Sequence, residues 1–429
     1  MGIVLSTLRF AGIDLFTTQD APVDGRKHIV IIGGSYGGMS VINNLKKLLS
    51  GDVNESRPAN LPSLPNLPRL TPRITLIDER DGIYHTMGTP LVHSSPDIAK
   101  TVPRAWKRYS DIPYLQDVSV VQGRVVNLDP ELKEVTYSYA GEEHKMGYDY
   151  VVCSTGMQRD WPTQPRATTK EKYFKDATSF VDSLLEEKDH IVVIGGGAVG
   201  TEFAGELKLT HPSKRITLIH SRSSLLSSEP LPDEFKTKAL EMMEASGIEV
   251  LLNTRVKSET DGGLVLSTGE TITTSAVIWC TGGQRPITGY IPSAALDSAT
   301  GLVRITSNLT LPELVPNHMT HFAIGDIAQW SGIKRAGGAI FMGCFTATNL
   351  LLSIVAAEGD KELKLAEFPE LAPMLCLALG DQAIGHWGGR LSYGVEPLEQ
   401  CFENDLGLGI CFKALNIEVD GAVVDVEKN

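Results

Sequence analysis

Short, unbroken apolar runs punctuated by glycine clusters organise this chain. His28–Ile32 (HIVII) is β-branched throughout, a pattern that suits a strand buried on both faces of a parallel sheet. It runs straight into Gly33-Gly34-Ser35-Tyr36-Gly37-Gly38 and a helical stretch to about Leu49. Residues 50–73 carry five prolines and little periodicity, which predicts a loop or insertion. Arg73–Asp78 (RITLID) is a second strand. Val118–Leu128 and Glu134–Tyr139 alternate like paired strands. Tyr148–Ser154 is another buried strand, ending at Thr155-Gly156. The pattern then restarts, with a strand at His190–Ile194, a turn at Gly195–Gly200, a helix over Thr201–Leu209 and a strand at Arg215–Ile219. Thr274–Thr281 matches Tyr148–Thr155 in character and position. The chain therefore holds two copies of one plan: strand, glycine turn, helix, strand, excursion, strand, Thr-Gly.

Beyond Gly325 the spacing predicts a helix over Ala339–Ala357. Leu350–Ala357 and Leu371–Leu379 read as buried helix, and no apolar run reaches the ~18 residues of a membrane span. The last fifty residues read as short strands and turns. Met1–Arg26 reads as a loosely attached leader without the features of a signal peptide.

At 429 residues and a formal net charge of −13, the chain suits two or three domains and is ill-matched to a nucleic-acid backbone. Its 41 glycines fit many tight turns and close backbone approaches to a ligand. The six cysteines (Cys153, Cys280, Cys344, Cys376, Cys401 and Cys411) form no C-x-x-C and are too sparse for a disulfide scaffold. That usage fits a reduced compartment. No metal is expected, since no cluster has ligand spacing.

Gly195-Gly196-Gly197-Ala198-Val199-Gly200 fits G-x-G-x-x-G between a strand and a helix. There the first glycine makes the turn, the second admits a pyrophosphate, and the third lets helix and strand close up. The helix N-terminus offers unpaired N–H groups to phosphates. Alone the hexapeptide is weak; its flanking strands give it weight. The first copy places Ser35 where the second glycine is due, in Gly33-x-Ser35-x-x-Gly38. The ribose-binding acid, due about 20 residues on, comes at Asp78 because of the Pro-rich insertion, with Glu79 as its rival. In the second copy that position holds His220, then Ser221 and Arg222. Without an acid a 2′-phosphate is not repelled, and Arg222 can pair with it. NADPH is therefore expected to serve at least as well as NADH; a merely solvated Arg222 is the competing reading. His321–Asp326 is a strand ending in Gly325-Asp326, where a carboxylate can accept from a ribityl hydroxyl.

Taken in order, Gly33–Gly38, Thr155-Gly156, Gly195–Gly200 with Glu202, Thr281-Gly282 and Gly325-Asp326 mark a resemblance. The chain resembles the pyridine-nucleotide flavoproteins with two dinucleotide-binding domains. Among them it is most similar to the type II NADH dehydrogenases and the apoptosis-inducing-factor-like, ferroptosis-suppressor NAD(P)H:quinone oxidoreductases. The similarity runs from about His28 to Leu379, and Tyr84–Leu91 resembles the segment these enzymes place near the flavin.

The resemblance implies an α/β protein with two Rossmann-like dinucleotide-binding domains and a small C-terminal α+β domain. The FAD domain is discontinuous and the NAD(P) domain is inserted in it. The expected division is a leader at 1–27, the first part of the FAD domain at 28–160, the NAD(P) domain at 161–285, the second FAD part at 286–365 and the C-terminal domain at 366–429. It implies that Gly33, Gly34, Ser35, Gly37, Gly38 and Asp78 bind FAD, with Asp326 at its ribityl chain. Thr155, Gly156, Gly282 and Gly325 accompany them. Gly195, Gly197, Gly200, Glu202 and Arg222 would face NAD(P)H. No catalytic residue is assigned; His85 and Lys334 are candidates, each with a plain packing or solvated reading beside it. Disulfide reductases of this superfamily carry cysteines beside the flavin, yet residues 33–60 contain none. Electrons are thus expected to pass directly to a small-molecule acceptor, a quinone by preference.

Two alternatives stand: a reductase or oxidase of a specialised metabolite or redox partner protein, and a flavin-bound signalling or cell-death effector with incidental turnover. Met1-Gly2-Ile3-Val4-Leu5-Ser6 fits M-G-x-x-x-[ST], which marks Gly2 for myristoylation. One such chain binds membrane only marginally, at roughly 10⁴ M⁻¹. Cytoplasm is the default location, with peripheral membrane contact as the option this opens.

Overall fold

The computed structural model describes residues 25–52, 58, 61–62, 70–186, 190–260, 262–274, 276–282, 284–358 and 364–419. Gly2 lies outside the described residues.

His28–Ile32 is buried along its whole length because it is the central strand of a five-stranded parallel sheet. Arg73–Asp78 flanks it on one side and Tyr150–Cys153 on the other, with Ile29 opposite Ile74 and Tyr150. Ser119–Gln122 and His321–Ala323 close the two edges. The chain thus leaves the central strand first in one direction and later in the other. A sheet with such a switch opens a crevice at the carboxyl ends of its strands. His190–Ile194 repeats the arrangement between Arg215–Ile219 and Ala276–Trp279, with Glu249–Leu251 outermost.

Each copy also carries a three-stranded antiparallel excursion: Arg124–Asp129, Glu134–Tyr139 and Glu142–Gly147 in the first, Val256–Thr260, Gly263–Leu266 and Thr271–Ile272 in the second. The single strand expected over Val118–Leu128 is therefore two. Ser119–Gln122 belongs to the parallel sheet and Arg124–Asp129 to the excursion. Gly123 is the break, with its N–H donating to Asp78 O. The chain enters and leaves the second unit through paired strands, Met157–Gln158 beside Arg285–Pro286.

One helix spans the two units and another braces the first. Lys170–Glu186 packs Tyr173, Ala177 and Val181 into the core of the first unit and Leu184 into that of the second. Ala336–Glu358 lies against Tyr36–Ser50, close enough for Ser40 Oγ to donate to Ile340 O at 2.7 Å. It is longer than the expected Ala339–Ala357. Its 22 residues Ala336–Ala357, at mean hydropathy 1.9, also correct the expectation that no stretch is long and apolar enough to cross a membrane. The Gly, Thr, Ser and Asn positions interrupt the run without lowering its average much, and most of the helix is buried in the core.

The tail differs from expectation in two places. Leu375–Leu379 is a strand, not a helix. Pro373 stands just before it, and Gly380-Asp381 turns it into Gln382–Trp387 and then Arg390–Gly394. Leu377 and Leu379 enter the core of the second unit while Ala378 and Cys376 face another cluster, so both faces are covered and no alternation is visible. The residues beyond include two helices, Val395–Cys401 and Leu408–Ala414. The second was hidden by its flanking glycines; it buries Leu408 and Phe412 against the first unit.

Candidate functional site

The two glycine turns fold alike. Gly33 and Gly195 take positive φ, at 96° and 120°. A methyl on Gly38 would run into the carbonyl oxygen of Gly33, and one on Gly200 into that of Gly195. Each helix begins where its strand ends, and neither Ser35 nor Gly197 caps it with a side chain. The first-turn N–H groups are thus left to a ligand, in the position that favours phosphate. No acid stands in either first turn to repel one.

The acid position is where the copies diverge. Asp78 Oδ2 accepts from Gly34 N–H at 2.6 Å and Oδ1 from Arg80 N–H at 2.7 Å. Burial pushes its pKa up, against Arg80 and these two donors. Glu79 turns away to Arg124, 2.8 Å from Nη2. In the second copy His220 Nδ1 accepts from Gly196 N–H at 3.0 Å. His220 thus takes over the acid's backbone task as a neutral acceptor. Burial lowers its pKa, with Arg222 adding to the effect.

One cavity of about 510 Å³ joins both units. Gly34, Ser35, Gly37, Asp78, Thr155 and Gly156 line it from the first unit, with Gly325, Asp326 and Lys334 beyond. Ala198, Val199 and Glu202 line it from the second. The C-terminal segment supplies a mainly apolar wall that includes Met374–Leu377, Trp387 and Phe402. Gly33, Gly38, Gly195 and Gly200 shape the turns behind this surface, and Gly197 begins the second helix. Gly282, at φ 146°, stands close to the Asp160 carboxylate, outside the lining. Arg222 is exposed.

His85 does not face the cavity. It is fully buried, its Nδ1 bonded to Tyr36 OH at 3.0 Å and its Nε2 to Leu406 O at 3.0 Å. Burial lowers its pKa to about 4, so it is a neutral clamp between the first helix and the C-terminal segment. Lys334 donates from Nζ to Ala328 O and feels the Asp326 carboxylate; burial lowers its pKa. Asp326 is raised by burial, with Arg159 and Lys334 opposing.

Several groups here were invisible in the sequence. Arg159 influences both Glu202 and Asp326, the acids of the two units. Arg80, Arg159 and His386 line the cavity, and each has a buried ring or guanidinium nitrogen without a hydrogen-bond partner in the protein. Buried donors left so cost about 1–3 kcal/mol each unless a ligand satisfies them. Glu202 is held neutral: burial raises its pKa to about 8, against an N–H of Ala378 3.5 Å away. Glu206, one turn on, is raised to about 7 by burial. Uncapped helix ends, close-approach glycines and unpartnered buried nitrogens all fit two phosphate-bearing nucleotides.

Two strand–glycine turn–helix units facing one cavity define a protein with two Rossmann-like dinucleotide-binding folds. The pyridine nucleotide-disulphide oxidoreductase family matches residues 27–343, and the chain belongs to it. Its cofactors are FAD and NAD(P)H. Oxidoreductase OXR1 of Ajellomyces capsulatus is 38% identical over 416 residues, spanning 91% of this chain and 88% of that protein. Human ferroptosis suppressor protein 1 is 25% identical, over 87% and 93% of the two chains. Among solved structures, NDH2 of Plasmodium falciparum with NADH has a TM-score of 0.60 at 14% identity, over 86% of this chain and 92% of that one. The water-forming NADH oxidase of Lactobacillus brevis has 0.60 at 17%, over 87% and 77%. At these identities the structures show the shared fold.

Proposed function

We propose that the chain is an FAD-dependent NAD(P)H oxidoreductase that reduces a quinone-like acceptor without a dithiol relay. The observation that carries this is the single cavity in which both glycine turns meet an apolar C-terminal wall. FAD, when bound, takes hydride from NAD(P)H and passes electrons to the second substrate. The Gly33–Gly38 turn and Asp78 would hold its adenosine half, and Asp326 its ribityl chain. The Gly195–Gly200 turn would hold the nicotinamide nucleotide, with Glu202 neutral beside it so that no carboxylate opposes the negative phosphates. Met374–Leu377, Trp387 and Phe402 would exclude water and accept a flat apolar molecule. None of the six cysteines lies in the segment after the first glycine turn, so the acceptor would be reduced directly.

The exposed Arg222 and the neutral His220 support use of NADPH as well as NADH. Acylation of Gly2, read from the sequence, would bring the enzyme to a membrane-dissolved acceptor. Steady-state turnover with a panel of quinones, disulfides and carbonyl metabolites tests the reading. Quinones are expected to give the highest kcat/KM. Turnover confined to disulfides, or to one metabolite, would overturn it.

A further inference from the structure

The C-terminal wall holds a pair of thiols that the proposed turnover does not use. Cys376 lies on the strand Leu375–Leu379 and Cys401 ends the helix Val395–Cys401, 25 positions later. Both side chains line the cavity. Cys376 Sγ also reaches Pro397 O at 3.8 Å, on the same helix. They share a small cluster with Ala378, Leu398 and Phe402, which presses strand and helix together. Two thiols that share one cluster on adjacent elements are placed to be bridged.

We propose that Cys376 and Cys401 form a peroxide-oxidised dithiol site in the cavity wall. Cys401 thiolate attacks one oxygen of a hydroperoxide, R–O–OH. The O–O bond breaks, the sulfur becomes a sulfenic acid, and R–O⁻ leaves and takes up the thiol's proton. Cys376 sulfur then attacks the sulfenic sulfur. The S–S bond forms, and the hydroxyl departs as water with the Cys376 proton. The sum is two thiols and one hydroperoxide giving one disulfide, one alcohol and one water. Two equivalents of a small-molecule thiol return the pair to the dithiol by exchange, leaving as their own disulfide.

The roles follow from the contacts. The neighbouring Cys376 thiol lowers the pKa of Cys401 to about 7, while Cys401 and burial raise that of Cys376. The lowered pKa raises the thiolate share of Cys401 at neutral pH above that of an ordinary thiol. Cys153 and Cys411 are pushed to about 12 by burial, and Cys280 is raised as well. Those three are internal controls.

The experiment treats the FAD-loaded protein with one equivalent of hydrogen peroxide, alkylates the remaining thiols and maps peptides by mass spectrometry. One cross-linked species is expected, joining the Cys376 and Cys401 peptides with the loss of two hydrogens and reversed by dithiothreitol. Cys376→Ser is expected to stop at a Cys401 sulfenic acid that dimedone traps. Cys401→Ser should slow peroxide consumption at least tenfold. Oxidation of Cys153, Cys280 or Cys411 ahead of Cys401 would overturn the proposal. So would oxidation of Cys401 to a sulfinic acid in wild type without the link. The wild-type peptide map decides the matter even if a variant fails to fold. It is also independent of the acceptor, so quinone turnover and the dithiol can fail separately.

Discussion

Replacing Glu202 with glutamine should stabilise the protein, and only at higher pH. Burial raises the Glu202 pKa from 4.5 to about 8, with a further push from Glu206. Below pH 4.5 both the folded and the unfolded chain carry the proton, so the group has no net effect. Between 4.5 and about 8 the unfolded chain releases a proton that the folded chain keeps. Stability therefore falls as pH rises, and levels off near 8. The shift sets a ceiling of about 5 kcal/mol, and with a realistic interior dielectric about 2–3 kcal/mol remains.

Glutamine keeps an oxygen for the Ala378 N–H and has no proton to lose. Thermal midpoints of the FAD-loaded, nucleotide-free protein are expected to coincide for wild type and Glu202→Gln at pH 4, below the unfolded-state pKa. At pH 8 the variant should melt several degrees higher. Adding Glu206→Gln should flatten the pH dependence further, since Glu206 is itself raised to about 7 by burial. A midpoint gap that does not change with pH, or a variant less stable at pH 8, would refute the reasoning.

Gly38→Ala should purify with little FAD because the added methyl meets Gly33 O, while Gly200→Ala should keep FAD and lose at least tenfold in NAD(P)H affinity; absorbance and nucleotide titration read both. NADPH should bleach the flavin at least as fast as NADH, and Arg222→Ala should slow NADPH selectively; a strong NADH preference unchanged in the variant would contradict this. Replacing all six cysteines should leave quinone turnover largely standing, and its loss on changing one cysteine, with the fold intact by circular dichroism, would restore a thiol relay. Intact-mass analysis of the cellular protein should show a myristoyl group that Gly2→Ala abolishes; an unmodified N-terminus removes the anchor.

The parts legible in the sequence were those set by local backbone demands. A strand feeding a glycine turn and a helix has few outlets, so both cradles could be read from Gly33–Gly38 and Gly195–Gly200. The place of Asp78 beside the first turn was legible across the long insertion because it ends a strand of the right character. What could not be read depends on distant contacts. His220 stands where an acid was due, and only the 3.0 Å bond from Gly196 reveals that it does the same backbone work. His85 sits in the segment expected near the flavin, yet it bonds to Leu406, over 300 residues away. Leu371–Leu379 looked like helix because its strand is covered on both faces, which removes the alternation that marks a strand. Arg159 and the Cys376–Cys401 pair carry no motif at all.

The most direct test of the central claim is anaerobic stopped-flow on the FAD-bound protein. NAD(P)H should bleach the flavin absorbance in one phase, and a short-chain quinone mixed in afterwards should restore it fully at a rate no slower than steady-state turnover, with thiol titre unchanged throughout. Flavin that stays reduced in quinone, or reoxidises only as disulfide is consumed, would contradict direct reduction of the acceptor.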